Sequence, residues 1–333
     1  MLMVQTLIWL SVLLAATSAT QYECLPYPEK STCIIDFIFY LGGEPIAFPT
    51  GYDHYRITSR SEKQITSNVT IFDEALYEAM HRPSRIEMAN TNMQSLTLPM
   101  ELQLGNFAAN KLSSVTTEAG RNYQISYLDL ESNNLKDIAF INRLVNLEVL
   151  HLDLNQISTI PGSAVAPLTK LKYLYLQFNP FTSIPWTDLP RTLIHLDCYY
   201  CHVEFAEFTN VSLPSLEYLG LQHNAFTTIN VTALLRVAPR LKEAHLQNNV
   251  MTEHERDRIN AKLTSNNISF VYSSPLFTNY CYYDDYEFKD GTCVRRQLAS
   301  MGTGMTILLS GVVIGMAATF VYIVVLTFRH MNR

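Results

Sequence analysis

Charge is sparse in this chain of 333 residues, at 16% Asp, Glu, Lys and Arg, and nowhere do lysine and arginine gather into a patch. With a formal net charge of −6, nothing on it attracts a phosphate backbone, which argues against nucleic acid as a partner. The residue patterns that mark catalysis are missing too. There is no HExxH, no phosphate-cradling glycine loop, no G-x-S-x-G elbow and no paired Cys-x-x-Cys of the zinc-binding kind. These absences argue against an enzyme and against a metal or cofactor. No heptads are present, so a coiled coil is excluded.

Long apolar runs occur only at the two ends. Residues 1–20 read as a secretory signal: an apolar core from Leu7 to Ala16 is too short to span a bilayer and is followed by small residues Thr17 to Thr20. Near the other end, Thr303 to Phe328 carries no Asp, Glu, Lys, Arg or His. As a helix it is about 39 Å long, enough to cross a hydrocarbon core of about 30 Å with some tilt. The expectation is a single-pass type I protein of the plasma membrane, with a short cytoplasmic tail at 329–333. The pair Gly311 and Gly315 would let two such helices approach closely. Dimerisation or co-receptor pairing through that face and ordinary glycine usage are equally open.

Between these ends a pattern of six residues recurs. Leu147, Leu150, Leu152, Asn155, Ile157 and Ile160 form its clearest copy, and Leu171, Leu174, Leu176, Asn179, Phe181 and Ile184 the next. The ninth positions are Thr91, Asn110, Asn133, Asn155, Asn179, Cys201, Asn224 and Asn249, spaced 19 to 25 residues apart. This is the leucine-rich repeat, and it predicts an α/β solenoid, a horseshoe of stacked short strands. Inward leucines fill a continuous core, and the asparagine satisfies backbone groups where the chain leaves the strand. The expected layout is an N-terminal cap at 21–80, repeats at 81–252, and a C-terminal cap with a juxtamembrane segment at 253–302. The latter opens on a capping box, Thr252-Glu253-His254-Glu255, and a short helix with Ile259 and Leu263 one turn apart. Ser269 to Tyr272 is expected to add a strand.

Six cysteines in a secreted chain point to disulfides. Cys24 with Cys33, and Cys281 with Cys293, are the simplest pairs, one pinning each end of the solenoid. Cys198 and Cys201 replace a core leucine and a ninth-position asparagine. They read as buried thiols, as a short-range disulfide, or as a bridge to another chain, with the first two favoured. The sequons at Asn68, Asn210, Asn230 and Asn267 mark surface positions open to glycosylation.

Alternate strand residues face away from the core, onto the concave side. From the third repeat onward they include Tyr127, Asp129, His151, Asp153, Tyr173, Tyr175, His195, Asp197, Tyr199, Tyr218 and His245, with no lysine or arginine. Such a tyrosine-rich surface suits protein recognition, although strands favour tyrosine in any case. The three histidines read equally as pH-sensitive groups or as exposed polar filler.

The spacing of Cys24 and Cys33, the apolar run Ile34 to Tyr40, and Asn68-Val-Thr-Ile-Phe leading into the repeats resemble the leucine-rich repeat immune proteins of mosquitoes. The resemblance covers roughly Gln21 to Thr252. Soluble members of that family carry a C-terminal cysteine pair and a coiled coil; here an apolar segment stands in that place, which is similar to the transmembrane subclass. The resemblance implies extracellular recognition of a protein or microbial ligand in innate immunity. A cell-adhesion or developmental surface protein of the same architecture is the rival.

Overall fold

The computed structural model describes residues 19–25, 31–58 and 67–270, and the backbone of a hairpin formed by Tyr286–Lys289 and Thr292–Arg295. The hairpin belongs to a separate compact unit. The expected leader up to residue 18, the apolar segment 303–328 with Gly311 and Gly315, Cys281 and the side chain of Cys293 lie outside the described residues. No helix among the described residues is long and apolar enough to cross a membrane.

The main unit is built on one parallel sheet of ten strands. In chain order they are β1 (Thr32–Ile35), β2 (His54–Ile57), β3 (Arg85–Glu87), β4 (Leu104–Asn106), β5 (Tyr127–Asp129), β6 (Val149–His151), β7 (Tyr173–Tyr175), β8 (His195–Asp197), β9 (Tyr218–Gly220) and β10 (Glu243–His245). Each strand pairs in register with the next, so that Leu128, Leu150, Leu174, Leu196 and Leu219 stack in one row. All five are buried, and with the other repeat leucines they form one continuous core. Gly105 takes the leucine place on β4, because a Cβ there would come within 2.7 Å of the Phe107 ring that fills the space.

The sheet starts earlier than the repeat pattern. β1 and β2 lie in the stretch assigned to the N-terminal cap, yet β1 pairs parallel with β2 and β2 with β3. Their core residues are Cys33 and Tyr55 instead of leucine, and Tyr55 stacks in register with Ile86. Cys33 is disulfide-bonded to Cys24. On the side opposite the sheet, the first repeats carry a second parallel set, Ile71–Phe72, Ser95–Thr97 and Ser114–Thr116. Later repeats turn instead through short helical segments: Ala139–Arg143, Gly162–Val165, Trp186–Asp188 and Val231–Val237.

Asparagine couples each repeat to the one before it. The Asn155 amide donates to Leu130 O (2.9 Å) in the preceding repeat and to Leu152 O and Asp153 O (both 3.1 Å) in its own. Its oxygen accepts from Leu135 N (3.0 Å) of the preceding repeat. Asn179, Asn224 and Asn249 repeat this bridge, the first of them to Leu152 O and Ile157 N. Buried backbone groups that would otherwise lose water are therefore paired across the stack. Immediately before each of these positions the backbone is left-handed: Ala109, Ser132, Leu154, Phe178, Tyr200, His223 and Asn248 all have φ between 53° and 58°.

At Cys201 the bridge is incomplete. Cys198 and Cys201 are both free and buried, which removes the disulfide between them and makes neither available to another chain. The Cys201 thiol donates to Leu176 O at 3.0 Å, replacing one amide donor. No side-chain amide oxygen stands here to receive Phe181 N, the group equivalent to Leu135 N. Burial pushes both thiols well up, so neither is a ready nucleophile.

The C-terminal helix (Glu253–Ser265) starts where the sequence placed it. Thr252 accepts from Glu255 N at 3.2 Å, and Ile259 and Leu263 are buried. The capping box is only half formed: the Glu255 carboxylate turns to Arg258, with bonds of 2.6 and 2.7 Å, and to the Thr228 hydroxyl. Of the strand expected at 269–272, one bridge from Ser269 to Glu243 forms, and residues from 271 lie outside the described ones.

Asn155→Ala leaves the buried Leu135 N unpaired and takes one donor each from Leu130 O, Leu152 O and Asp153 O, and is expected to cost roughly 2 kcal/mol. Cys201→Asn, which gives Phe181 N an acceptor, is expected to add about 1 kcal/mol. Urea midpoints at constant slope read both. A Cys201→Asn protein less stable than the parent would mean that the thiol packs better than the amide bonds.

Candidate functional site

The outward residues of β5 to β10 meet across strands because the pairing is in register. Their rings form an unbroken ladder: Tyr127 to His151 at 5.7 Å, His151 to Tyr175 at 4.2 Å, Tyr175 to His195 at 4.9 Å, His195 to Tyr218 at 4.0 Å and Tyr218 to His245 at 5.2 Å between centroids. Two of these contacts are parallel stacks, with planes 5° and 3° apart. Tyr173 joins beside His195 at 6.2 Å. Each such pair adds to area burial and holds the rings upright. Burial and nearby carboxylates push Tyr127 up to about 12 and Tyr175 upward as well, so these two phenols stay protonated.

The carboxylates on this face are far less open than an outward position implies. Asp129, Asp153 and Asp197 are 8%, 5% and 6% exposed, and His245 is 4% exposed. The aspartates sit low between the rings and accept from backbone amides. Asp129 takes Glu131 N at 3.0 Å, Asp153 takes Gln177 N at 3.1 Å and Asp197 takes Tyr199 N at 3.0 Å. Asp197 also accepts from Gln177 Nε2 at 2.6 Å. It leans across β9, where a Cβ on Gly220 would come within 2.4 Å of its Oδ1, so glycine there keeps the carboxylate's place open.

These charges act on one another. Burial raises Asp129 and Glu131, and the proximity of Asp153 raises them further; burial also raises Asp197. Burial opposes the charged form of His151, but the Asp153 carboxylate at 3.4 Å, with Asp129 and Glu131, outweighs it and lifts the imidazole above its ordinary value. His195 has no carboxylate in bonding range; burial takes it down to about 4, and its Nε2 has no hydrogen-bond partner. His223, also buried, falls to about 4. The lysines nearest the face, Lys172 and Lys242, precede β7 and β10 and are paired with Glu148 at 2.7 Å and Glu217 at 2.6 Å.

A second cluster was not legible as a site in the sequence. Phe178 packs edge-on against Tyr199 at 4.9 Å and lies 5.5 Å from Tyr200, while Tyr199 reaches His223 at 5.1 Å. Phe178, Tyr200 and His223, with Leu154 before them, occupy the left-handed positions that end the strands. Leu154 is 44% and Phe178 39% exposed. The signal available in the sequence was the residue preceding each ninth position. Of the sequons, Asn210, Asn230 and Asn267 are exposed and Asn68 half-buried; the Asn230 side chain also caps the helix Val231–Val237. No group of three His, Cys, Asp or Glu able to hold a metal occurs among the described residues.

A family model described as leucine rich repeat matches residues 124–181. With the stacked parallel sheet, this match supports a leucine-rich repeat fold. Among solved structures, the TLR13–ssRNA13 complex is similar with a TM-score of 0.50 and 17% identity, over 64% of this chain and 32% of that one. The Toll–Spatzle complex of Drosophila follows at 0.48 and 17%, over 66% and 33%. YopM, an effector of Yersinia pestis, gives 0.47 and 20%, over 62% and 53%. The chain thus spans about half of the Yersinia protein and a third of the other two. No curated protein matches it by sequence.

Because their folded values lie below the ordinary histidine value, His195 and His223 contribute stability that is complete above about pH 6.5 and is withdrawn as pH falls toward about 4. The loss of melting temperature between pH 7 and pH 4.5 should therefore be smaller in His195→Gln/His223→Gln than in the parent. Equal losses would place the titration elsewhere.

Proposed function

We propose that this chain is a non-catalytic, membrane-anchored extracellular binding protein of innate-immune recognition, or a co-receptor in it, which takes a protein or microbial ligand on the outward face of β5 to β10. The observation that carries this reading is the tyrosine–histidine ladder across six strands, which offers rigid rings with hydrogen-bonding tips at little entropic cost. The Cys24–Cys33 disulfide, the surface sequons and the apolar leader support an oxidising, extracellular location. The apolar segment 303–328 supports the anchor, and the likeness to mosquito immune proteins of the transmembrane subclass supports the immune role. RNA, the ligand in the TLR13 complex, does not suit this face, which has carboxylates and neither lysine nor arginine.

Proximity labelling on live cells, with the labelling enzyme fused after Gln21, tests the reading. Capture of complement-like or microbial proteins is expected, and Tyr173→Ala/Tyr175→Ala should reduce that capture by about tenfold or more without lowering surface delivery. Adhesion molecules of a neighbouring cell as the main hits would instead establish the rival, a cell-adhesion or developmental protein. Unchanged capture by the tyrosine variant would move the site off this face.

A further inference from the structure

Two features of the sheet face have no explanation within the chain. The first is uncompensated charge. Asp129, Glu131, Asp153, Asp197 and Glu243 all lie at outward positions, while the neighbouring lysines are already paired elsewhere. The aspartates accept neutral donors, and the ion-pairing groups beside the carboxylates are imidazoles: His151 lies 3.4 Å from Asp153 and His245 3.3 Å from Glu243. Close by, Gln222 is 6% exposed and its Oε1, a buried acceptor, has no hydrogen-bond partner. Carboxylates held together and an orphaned acceptor both call for a donor from outside.

The second is backbone strain spent on exposed apolar groups. Left-handed backbone suits Asn, which stands at this place in two repeats as Asn90 and Asn248. Bulky side chains there cost of order 1 kcal/mol or more each. Leu154 (φ 54°) and Phe178 (φ 55°) adopt it nonetheless, yet remain well exposed, so burial does not recover the cost. They adjoin the carboxylates directly in sequence, Leu154 following Asp153 and Phe178 following Gln177, the residue bonded to Asp197.

We propose that this face, with Leu154 and Phe178 at its edge, binds a protein segment that presents arginine or lysine beside an apolar side chain. The proposal rests on the reading of the sheet face as the binding site and specifies its partner. The basic groups would meet Glu131, Glu243 and the phenol tips, and the apolar side chain would seat against Leu154 and Phe178. Charge complementarity selects this occupant, since an acidic or polyanionic one would face only repulsion.

The full chain, purified in detergent, would be titrated with a short fluorescent peptide of alternating arginine and leucine. Two controls replace arginine by glutamate and leucine by serine. Preferential binding of the arginine–leucine peptide is expected, weakening as sodium chloride rises from about 50 to about 500 mM. Glu131→Gln/Glu243→Gln should lose about fivefold in affinity. Glu204→Gln/Glu207→Gln, with the same change in net charge at exposed positions off the sheet, should lose nothing. Leu154→Asn/Phe178→Asn should bind more weakly while melting no lower than the parent, a separation that a purely structural role would not give. Equal binding of the arginine and glutamate peptides, no binding, or equal losses in the two glutamate variants overturns the proposal. Should that happen while Tyr173→Ala/Tyr175→Ala still abolishes capture on cells, the face remains the binding site and only its partner class is wrong.

Discussion

From β4 onward the stack depends on the asparagine bridge between successive repeats. A parallel sheet satisfies the strand backbone but leaves carbonyls and amides bare where the chain turns away, and in a stack those groups are buried. One carboxamide offers donors and an acceptor in a fixed plane. In Asn155 it binds carbonyls of two repeats and an amide of one. The bridge sets the position of each strand against the last. Ring stacking on the outer face and leucine packing inside both follow from that single register.

The repeats at 81–252 were legible because inward apolar residues recur in each copy and a ninth-position asparagine in six of the eight. The first rungs were not. At β1 and β2 the core is filled by Cys33 and Tyr55, and no asparagine marks the turn, so nothing in the local sequence distinguishes a rung from a cap. The segments opposite the sheet change from strand to helical turn along the chain, since those residues answer to packing rather than to a fixed hydrogen-bond requirement.

The face shows the same division. Its residues could be named from alternation alone, but not their packing. The parallel stacks of His151 on Tyr175 and of His195 on Tyr218 require neighbours from different repeats. Asp129, Asp153 and Asp197 were expected to face solvent. They are buried at the sheet surface, where each bonds to a backbone amide. The left-handed edge escaped notice since Leu154 and Phe178 look like ordinary apolar residues in a leucine-rich pattern. Their left-handed φ angles and their exposure separate them from the core.

The bridge also has a direction. Asn155 reaches back to Leu130 and Leu135, and Asn179 back to Leu152 and Ile157. In this bridge the side chain of one repeat completes backbone groups of the repeat before it. As the chain is synthesised from its N-terminus, each newly made rung waits with open backbone groups until the next asparagine emerges. At any moment only the newest rung is unfinished. The growing solenoid therefore presents one adhesive end, of constant size, however many repeats precede it.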